Sequence, residues 1–260
     1  MKALLTVREI ARSCAILMMG SETRPRRVLR GLASGYRLSV SPAENLGYLI
    51  GTAEPHLQRA IRKYVQPGDT AYDIGSNIGY VSLSLAKRVG RQGRVFAFEP
   101  IPQNLQRIRE NIGNNGLANI QVFDVAASDR RGETVIRIAE NLATASLVWH
   151  KNDSRASKIV IRTVAIDELL QEGKISAPAF IKIDVEGAEG LVLHGMRQTL
   201  ASSRPVLFVE CSDAGRETAW HLLVELGYRC KSAITGKPVR TFEEYRHSDF
   251  LWLPSERPGS

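Results

Sequence analysis

The chain is expected to fold as an α/β protein built on a doubly wound, mostly parallel sheet. Three observations carry that expectation. Short apolar runs alternate along most of the sequence with stretches of three- and four-residue apolar spacing, the pattern of repeated strand–helix units. Two of the runs end in an acid, at Asp73 and Glu99, and the first is followed by a Gly-x-x-x-Gly turn, as at the ligand crevice of an open sheet. The length, 260 residues, suits one large α/β domain with an appendage.

The elements follow in order. Leu4, Val7, Ala11, Cys14 and Met18 recur at helical spacing with charges between them, which predicts an amphipathic helix ending at Gly20. Gly31, Gly35, Pro42, Gly47 and Gly51 divide the next stretch into short elements and turns. A helix over 54–65 stops at Pro67-Gly68. From there strands over 70–74, 94–98, 120–125, 180–184 and 205–210 alternate with helices over 79–89, 103–114, 188–200 and 216–226. An insertion after the third strand holds two runs, 135–138 and 159–164, that alternate as exposed strands do, and a short helix over 166–172. Runs at 228–233 and 249–253 close the chain as an antiparallel pair. Repeated strand–helix units imply parallel strands joined by right-handed crossovers. The expected division is a basic, helical and irregular appendage over 1–53 and one domain over 54–260.

Composition narrows the setting. Hydrophobic content is 43%, ordinary for a globular protein. No apolar run reaches the ~18 residues that a membrane span requires. Cys14, Cys211 and Cys230 are odd in number and far apart, with no disulfide framework or zinc spacing, which points to a reducing, cytoplasmic setting. The apolar stretch at 14–19 is too short for a secretion signal and follows Arg8, Glu9 and Arg12. Residues 1–66 carry eleven basic and four acidic side chains, which accounts for +7 of the net +8. Such a face suits an acidic substrate, a nucleic acid or an anionic membrane surface, or serves solubility alone.

The acid-tipped strands describe a nucleoside pocket. Gly75 and Gly79 are expected to let the backbone pass close to a ligand where a Cβ would clash. Asp73 falls where its strand stops. Glu99 lies 24 residues after Gly75, about where such folds place a carboxylate on ribose hydroxyls. A dinucleotide would want Gly-x-Gly-x-x-Gly, so that backbone amides gather on a pyrophosphate. Here position 77 is Asn, and no Walker lysine follows. S-adenosylmethionine has no phosphate; it needs a turn for its amino and carboxylate ends and an acid for its ribose. Asp73, the Gly75 backbone and Glu99 meet that need, which favours S-adenosylmethionine over NAD. Asp124 and Ala126, at the end of the third strand, stand where an adenine would lie.

Residues 181–190 form a second chemical segment, Ile-Lys-Ile-Asp-Val-Glu-Gly-Ala-Glu-Gly. Lys182 and Asp184 alternate onto one face of a strand, and Asp184 reaches its carboxyl edge. Glu186 falls in the turn and Glu189 in the first helical turn, where an acid also complements the helix dipole. Four charges in eight residues at the ligand edge point to chemistry as well as to structure.

Taken together, Asp73-Ile-Gly-Ser-Asn-Ile-Gly-Tyr80, Phe98-Glu-Pro100, Asn111 with Asn115, Ala127-Ser-Asp129, Thr163-x-x-x-Asp167, Lys182-Ile-Asp-Val-Glu-Gly-Ala-Glu189 and Arg204-Pro205 resemble the FkbM family of S-adenosylmethionine-dependent methyltransferases. The resemblance covers residues 54–211 in order, and Gly51-x-x-Glu54-Pro55 is similar to the family's entry segment. It implies a class I methyltransferase (Rossmann-like) fold, into which the seven strands of the sheet fit. It also implies methylation of a hydroxyl on a sugar, glycolipid or secondary metabolite. Carried over by position, Asp73, Gly75, Ser76, Asn77, Gly79, Glu99, Pro100 and Asn104 are implied cofactor residues, and 182–189 borders the substrate. Ser76 stands where the family usually has Ala, and His194 where Lys or Arg is frequent, which argues for a surface position. The first fifty residues match nothing in the family, so the acceptor stays open.

For a hydroxyl acceptor, Asp184 and Glu186 are the candidates to orient or deprotonate it. Lys182 either holds an anionic substrate group or pairs with Asp184, and Glu189 completes the acidic set. A divalent cation would find these acids and Glu210, although no ligand spacing demands one. The expected partner is a small-molecule or glycan acceptor. An RNA methyltransferase is the alternative favoured by the basic N-terminal region. Against it, the chain lacks an Asn-Pro-Pro-Tyr motif and a basic patch interleaved with aromatics. N-methylation of a small acceptor, and peripheral contact of the basic region with an anionic membrane, remain open.

Overall fold

The computed structural model describes residues 20–138, 157–185, 187–211, 213–244 and 249–255. The N-terminal amphipathic pattern and Glu186 lie outside the described residues. The chain opens with a hairpin, β1 (Arg24–Arg27) and β2 (Arg37–Val40), then α1 (Pro42–Ile50) and α2 (Pro55–Tyr64). Next come β3 (Thr70–Ile74), α3 (Tyr80–Val89), β4 (Arg94–Phe98), α4 (Pro102–Gly113) and β5 (Ile120–Phe123). The insertion holds β6 (Ala126–Ala127), β7 (Gly132–Ile138), β8 (Ser157–Val164) and α5 (Ile166–Gln171). The second half runs β9 (Phe180–Asp184), α6 (Glu189–His194), α7 (Arg197–Ser203), β10 (Val206–Glu210), α8 (Asp213–Glu225), β11 (Tyr228–Ser232), β12 (Pro238–Val239) and β13 (Asp249–Pro254).

The main sheet has the order β12-β11-β13-β10-β9-β3-β4-β5. The strands from β10 to β5 are parallel, and β13, β11 and β12 pair antiparallel. The chain winds from β3 to β5 in one direction, then returns to β9 on the other side of β3. The direction of winding therefore reverses between β3 and β9, which opens a crevice beyond their carboxyl ends. The sheet has eight strands, one more than expected, because Pro238–Val239 adds a two-residue edge strand. β5 stops at Phe123, so Asp124 and Val125 fall in a bend instead of extending the strand.

Alternation along the strands divides the core into two layers. Tyr72, Ile74, Ile181, Ile183, Leu207 and Val209 face α5 to α8, together with the buried Trp220 and Trp252. Ala71, Phe180 and Phe208 face the opposite layer, with Leu57 and Ile61 of α2 and Leu83 of α3. Val28, Leu38, Val40 and Leu49, all N-terminal to residue 53, belong to that second cluster. Ile136 and Ile161 of the insertion are buried against Ile101, so the pair that alternates as exposed strands do keeps one face covered. Among the described residues no helix is long and apolar enough to cross a membrane.

One expected helix is broken. The span 188–200 divides into α6 and α7 at Gly195, where a Cβ would stand 1.8 Å from the Ser128 carbonyl oxygen. Asp167 caps the second piece from a distance: its Oδ2 accepts from Gln198 N at 2.8 Å and its Oδ1 from Thr199 N at 2.8 Å. Two asparagines, Asn111 of α4 and Asn115 just after it, fasten the hairpin. Asn111, fully buried, accepts from Ser39 N at 2.6 Å and donates to Ile78 O at 2.8 Å. Asn115 accepts from Arg37 N and donates to Arg37 O, both at 2.7 Å. Asn111→Ala leaves Ser39 N and Ile78 O buried without partners, and is expected to cost about 1–3 kcal/mol in urea unfolding. Asn115→Ala, on an exposed edge, should cost less than about 1 kcal/mol. Equal losses would mean that Asn111 is not the fastening point.

Candidate active site

The turn after β3 is shaped by close approach within the protein. Gly75, Asn77 and Gly79 all have positive φ, at 77°, 49° and 87°. A Cβ at Gly75 would lie 1.8 Å from the Asp184 carbonyl oxygen, and one at Gly79 would lie 2.6 Å from Ile108 Cγ1. The expected reason for these glycines was the approach of a ligand; the structure supplies another, since the backbone of β9 and the side chain of α4 occupy the space a Cβ needs. The amides of Gly75 and Ser76 both donate to Phe98 O at 3.0 Å. Ser76 is buried and donates to Asp73 O at 2.6 Å.

Beneath the turn lies a buried ionic group. Lys182 is 4% exposed, and its Nζ donates to Gly75 O at 2.6 Å. The same ammonium lies 3.3 Å from Asp184 Oδ2 and 3.5 Å from Asp73 Oδ1. Asp73 is fully buried, and its Oδ2 accepts from Ser82 Oγ of α3. Burial pushes the Asp73 carboxyl up, against the pull of Lys182 and of the Ser82 hydroxyl. Burial alone would lower Lys182, but Asp184 and Asp73 outweigh it and hold the ammonium above its ordinary value.

Two clefts open above this group. The first, of about 670 Å³, lies over the ends of β3, β4 and β9. Gly75, Asn77, Glu99, Pro100, Asn104, Ala126 and Asp184 line it, with Phe98 and Ile101 as apolar walls. Glu99 is 3% exposed and held from three sides. Its Oε2 accepts from Asn77 N at 2.8 Å; its Oε1 accepts from Ile101 N at 2.9 Å and Asn104 Nδ2 at 3.3 Å. Oε2 thus keeps one acceptor position among the described residues. Among the described residues the lining contains two acids, Glu99 and Asp184, and neither Lys nor Arg. A pyrophosphate would meet repulsion there, whereas a ribose offers hydroxyl donors to Glu99 and a sulfonium offers a positive charge to the acids. The residues fit S-adenosylmethionine.

The second cleft, of about 340 Å³, adjoins the first and shares Gly75, Asn77 and Asp184 with it. Its other walls are Tyr48 of α1, Glu54, Tyr80 and the edge of Lys182. Tyr48 and Tyr80 stack with ring centroids 4.5 Å apart. Asp184 therefore stands on the border of both clefts, with Oδ2 on Lys182 and Oδ1 without a partner among the described residues.

The expected site residues separate by position. Gly75, Asn77, Glu99, Pro100, Asn104, Ala126 and Asp184 line the first cleft, and Ser76 the second. Asp73 lies beneath the floor, behind Lys182. Gly79 faces Ile108. Asp124 lines neither cleft, because it sits in the bend after β5 and pairs with Arg162 at 2.7 Å. Glu189 is fully buried, accepts from Gly187 N at 2.9 Å and packs against Gly215 of α8, away from both clefts. Glu186 is outside the described residues. Glu210 ends β10 beside Asp184, and burial together with Asp184 and Asp249 pushes its carboxyl up. Among the described residues no group of three His, Cys, Asp or Glu side chains is gathered to hold a metal ion. Sequence reasoning missed Tyr48; Tyr80 and Glu54 it noted only as members of Asp73-Ile-Gly-Ser-Asn-Ile-Gly-Tyr80 and Gly51-x-x-Glu54-Pro55.

Comparison with known proteins gives three findings. The family model described as Methyltransferase FkbM domain matches residues 73–230. The chain is 30% identical over 184 residues to hexuronic acid methyltransferase AglP of Haloferax volcanii, over 65% of this chain and 68% of that protein. It is 30% identical over 166 residues to 2-O-methyltransferase NoeI of Sinorhizobium fredii, over 57% of this chain and 65% of that protein. It thus spans about two thirds of the length of these relatives. Among solved structures it is similar to methyltransferase FkbM from Methylobacillus flagellatus KT, with a TM-score of 0.47 and 19% identity. That match covers 82% of this chain and 53% of the other.

Glu99 sets a pH dependence. Burial pushes its carboxyl up to about 7, against the pull of the Ile101, Asn77 and Asn104 donors. Hydroxyl donors from a ligand favour the charged form, so affinity for S-adenosylmethionine should fall as pH drops through about 7, with protons released on binding in that range. Calorimetry in buffers of different ionisation enthalpy reads both effects. Glu99→Gln should weaken binding about 10–100-fold and flatten the profile. A flat profile in the native chain would contradict the role of Glu99.

Proposed function

We propose, for a chain that belongs to the FkbM methyltransferase family and is an S-adenosylmethionine-dependent methyltransferase, that its acceptor is a hydroxyl of a sugar or glycan. The observation that carries this reading is the position of Asp184 on the border of the two clefts. A carboxylate there reaches a donor in the first cleft and an acceptor in the second. The relatives support the acceptor class, one being named a hexuronic acid methyltransferase and the other a 2-O-methyltransferase. Tyr48, part-exposed and stacked on the buried Tyr80, gives the second cleft an aromatic wall that suits the face of a sugar ring.

When bound, S-adenosylmethionine supplies an electrophilic methyl group on a sulfonium, whose departure needs no acid. The residues of the chain supply position and a proton acceptor. Glu99, braced by Asn77, Ile101 and Asn104, holds the ribose. The Gly75 turn and Asn77 border the methionine end. Asp184 Oδ1 orients the acceptor hydroxyl and takes its proton, while Lys182 fixes the rest of the carboxylate by its grip on Oδ2. Glu186, outside the described residues, is the second candidate for that role. Alignment of this kind contributes roughly 7–11 kcal/mol to lowering the barrier, and a positioned base about 10²–10⁴-fold in rate.

The test is methyl transfer from labelled S-adenosylmethionine to a panel of hexopyranosides. Asp184→Asn keeps the size of the side chain and one acceptor oxygen for Lys182. It should lower kcat by about 10²–10⁴-fold, with cofactor affinity changed only severalfold. Unchanged kcat in that variant would remove Asp184 from the chemistry.

A further inference from the structure

Glu54 is placed against the ordinary preferences of its position. It is the residue before α2, with φ 51° and ψ 48°, a left-handed conformation that costs strain in any residue but glycine. Pro55 follows it, which disfavours that conformation further. A residue at this place commonly caps the helix with its side chain, yet the Glu54 carboxylate makes no such bond. It lines the second cleft instead. The loop that presents it is fixed by Gln58, 4% exposed, whose Nε2 donates to Ala53 O at 2.7 Å and whose Oε1 accepts from Leu32 N at 3.0 Å. Strain held by such a brace is a mark of a functional position.

The charge of this cleft is one-sided. Glu54 and Asp184 line it, and Glu210 stands in register with Asp184 at the end of the neighbouring strand β10. Lys182 is the one cation in its lining among the described residues. Its Nζ donates to Gly75 O and lies within ion-pair distance of Asp184 Oδ2 and Asp73 Oδ1, so two carboxylates of the protein already meet its charge. Burial pushes the Glu54 carboxyl up, against the pull of Lys182, and Asp184 adds to the push.

We propose that the second cleft is the acceptor subsite, and that Glu54 makes it selective for an uncharged or amino-bearing sugar over a carboxylate-bearing one. The inference rests on the sugar-hydroxyl reading above and narrows it. Tyr48, backed by Tyr80, takes the ring face. Glu54 accepts from ring hydroxyls or from an amino group on the side away from Asp184. An acidic sugar would bring a third negative charge beside Glu54 and Asp184, and among the described residues of the lining Lys182, already paired with Asp184 and Asp73, is the one cation.

The test uses the full chain saturated with S-adenosylhomocysteine, titrated calorimetrically with methyl hexopyranosides, their 2-amino counterparts and the corresponding hexuronates, and the same acceptors in turnover. The neutral and amino sugars should bind and react at least about tenfold better than the hexuronates. Glu54→Gln should narrow that ratio about tenfold, with affinity for S-adenosylhomocysteine within about twofold. Tyr48→Ala should weaken all the sugars alike without changing the ratio. Hexuronates preferred by the native chain, or a ratio unmoved by Glu54→Gln, would overturn the selectivity and leave the sugar methyltransferase reading standing. No binding or turnover of any pyranoside, with S-adenosylhomocysteine still bound, would overturn both. Lost cofactor affinity in Glu54→Gln would assign the residue to the first cleft and overturn the proposal.

Discussion

One buried ammonium ties the site together. Lys182 joins two pieces of backbone that the chain order keeps far apart: β3 and the turn after it, through Asp73 and Gly75 O, and the end of β9, through Asp184. Its own solvation is gone, and the attraction of two carboxylates replaces it. Without that charge Asp73 would sit fully buried with only a hydroxyl for company. By holding Gly75 O and Asp184 Oδ2, Lys182 fixes the turn and Asp184, both of which line the two clefts.

The rest of the fold supports this arrangement in layers. β3 and β9 are neighbours because the winding reverses between them, so their carboxyl ends meet where no crossover covers them. The turn is tight because Gly75 and Gly79 leave room for Asp184 O and Ile108. Asn111 ties Ile78 of that turn to Ser39 of the hairpin, so the N-terminal segment and the cofactor turn are one mechanical unit. That segment also brings Tyr48 and Glu54 to the second cleft. Residues remote from the catalytic strands thus build the wall an acceptor would touch.

Much of the sheet was legible in the sequence, because parallel strands buried on both faces read as apolar runs and their helices carry a clear period. Glu99 and Asp184 stood out in the sequence as acids at strand ends, and they line the first cleft; Asp73 and Lys182 stood out beside them, and they form the buried group beneath it. Tertiary contacts decided what could not be read. Nothing local tells that Gly195 must accept the Ser128 carbonyl at its back, and so 188–200 reads as one helix. Asp124 reads as a cleft residue until Arg162, from a strand of the insertion, pairs with it. Glu189 carries the same charge as Asp184 but faces Gly215 of α8, and only the packing of α6 on α8 shows it. Tyr48 and Glu54 come from a stretch that reads as turns. Their part depends on where the hairpin docks, although Asn111 and Asn115, which dock it, stood out in the sequence.

The central claim is that Lys182 holds the floor of the site by compensating Asp73, and the double exchange of that pair tests it most directly. Lys182→Met should lower the unfolding free energy by about 3–5 kcal/mol at neutral pH. An uncompensated buried Asp73 has a folded-state pKa above its unfolded value, so the stability missing from the variant should shrink toward pH 4, about the ordinary value of that carboxyl, and grow as pH rises. Asp73→Asn in the same chain removes the stranded charge and should restore most of the loss, since exchanging both members of a buried pair is often nearly neutral. A Lys182→Met variant as stable as the native chain, or a double variant no more stable than the single one, would contradict the account.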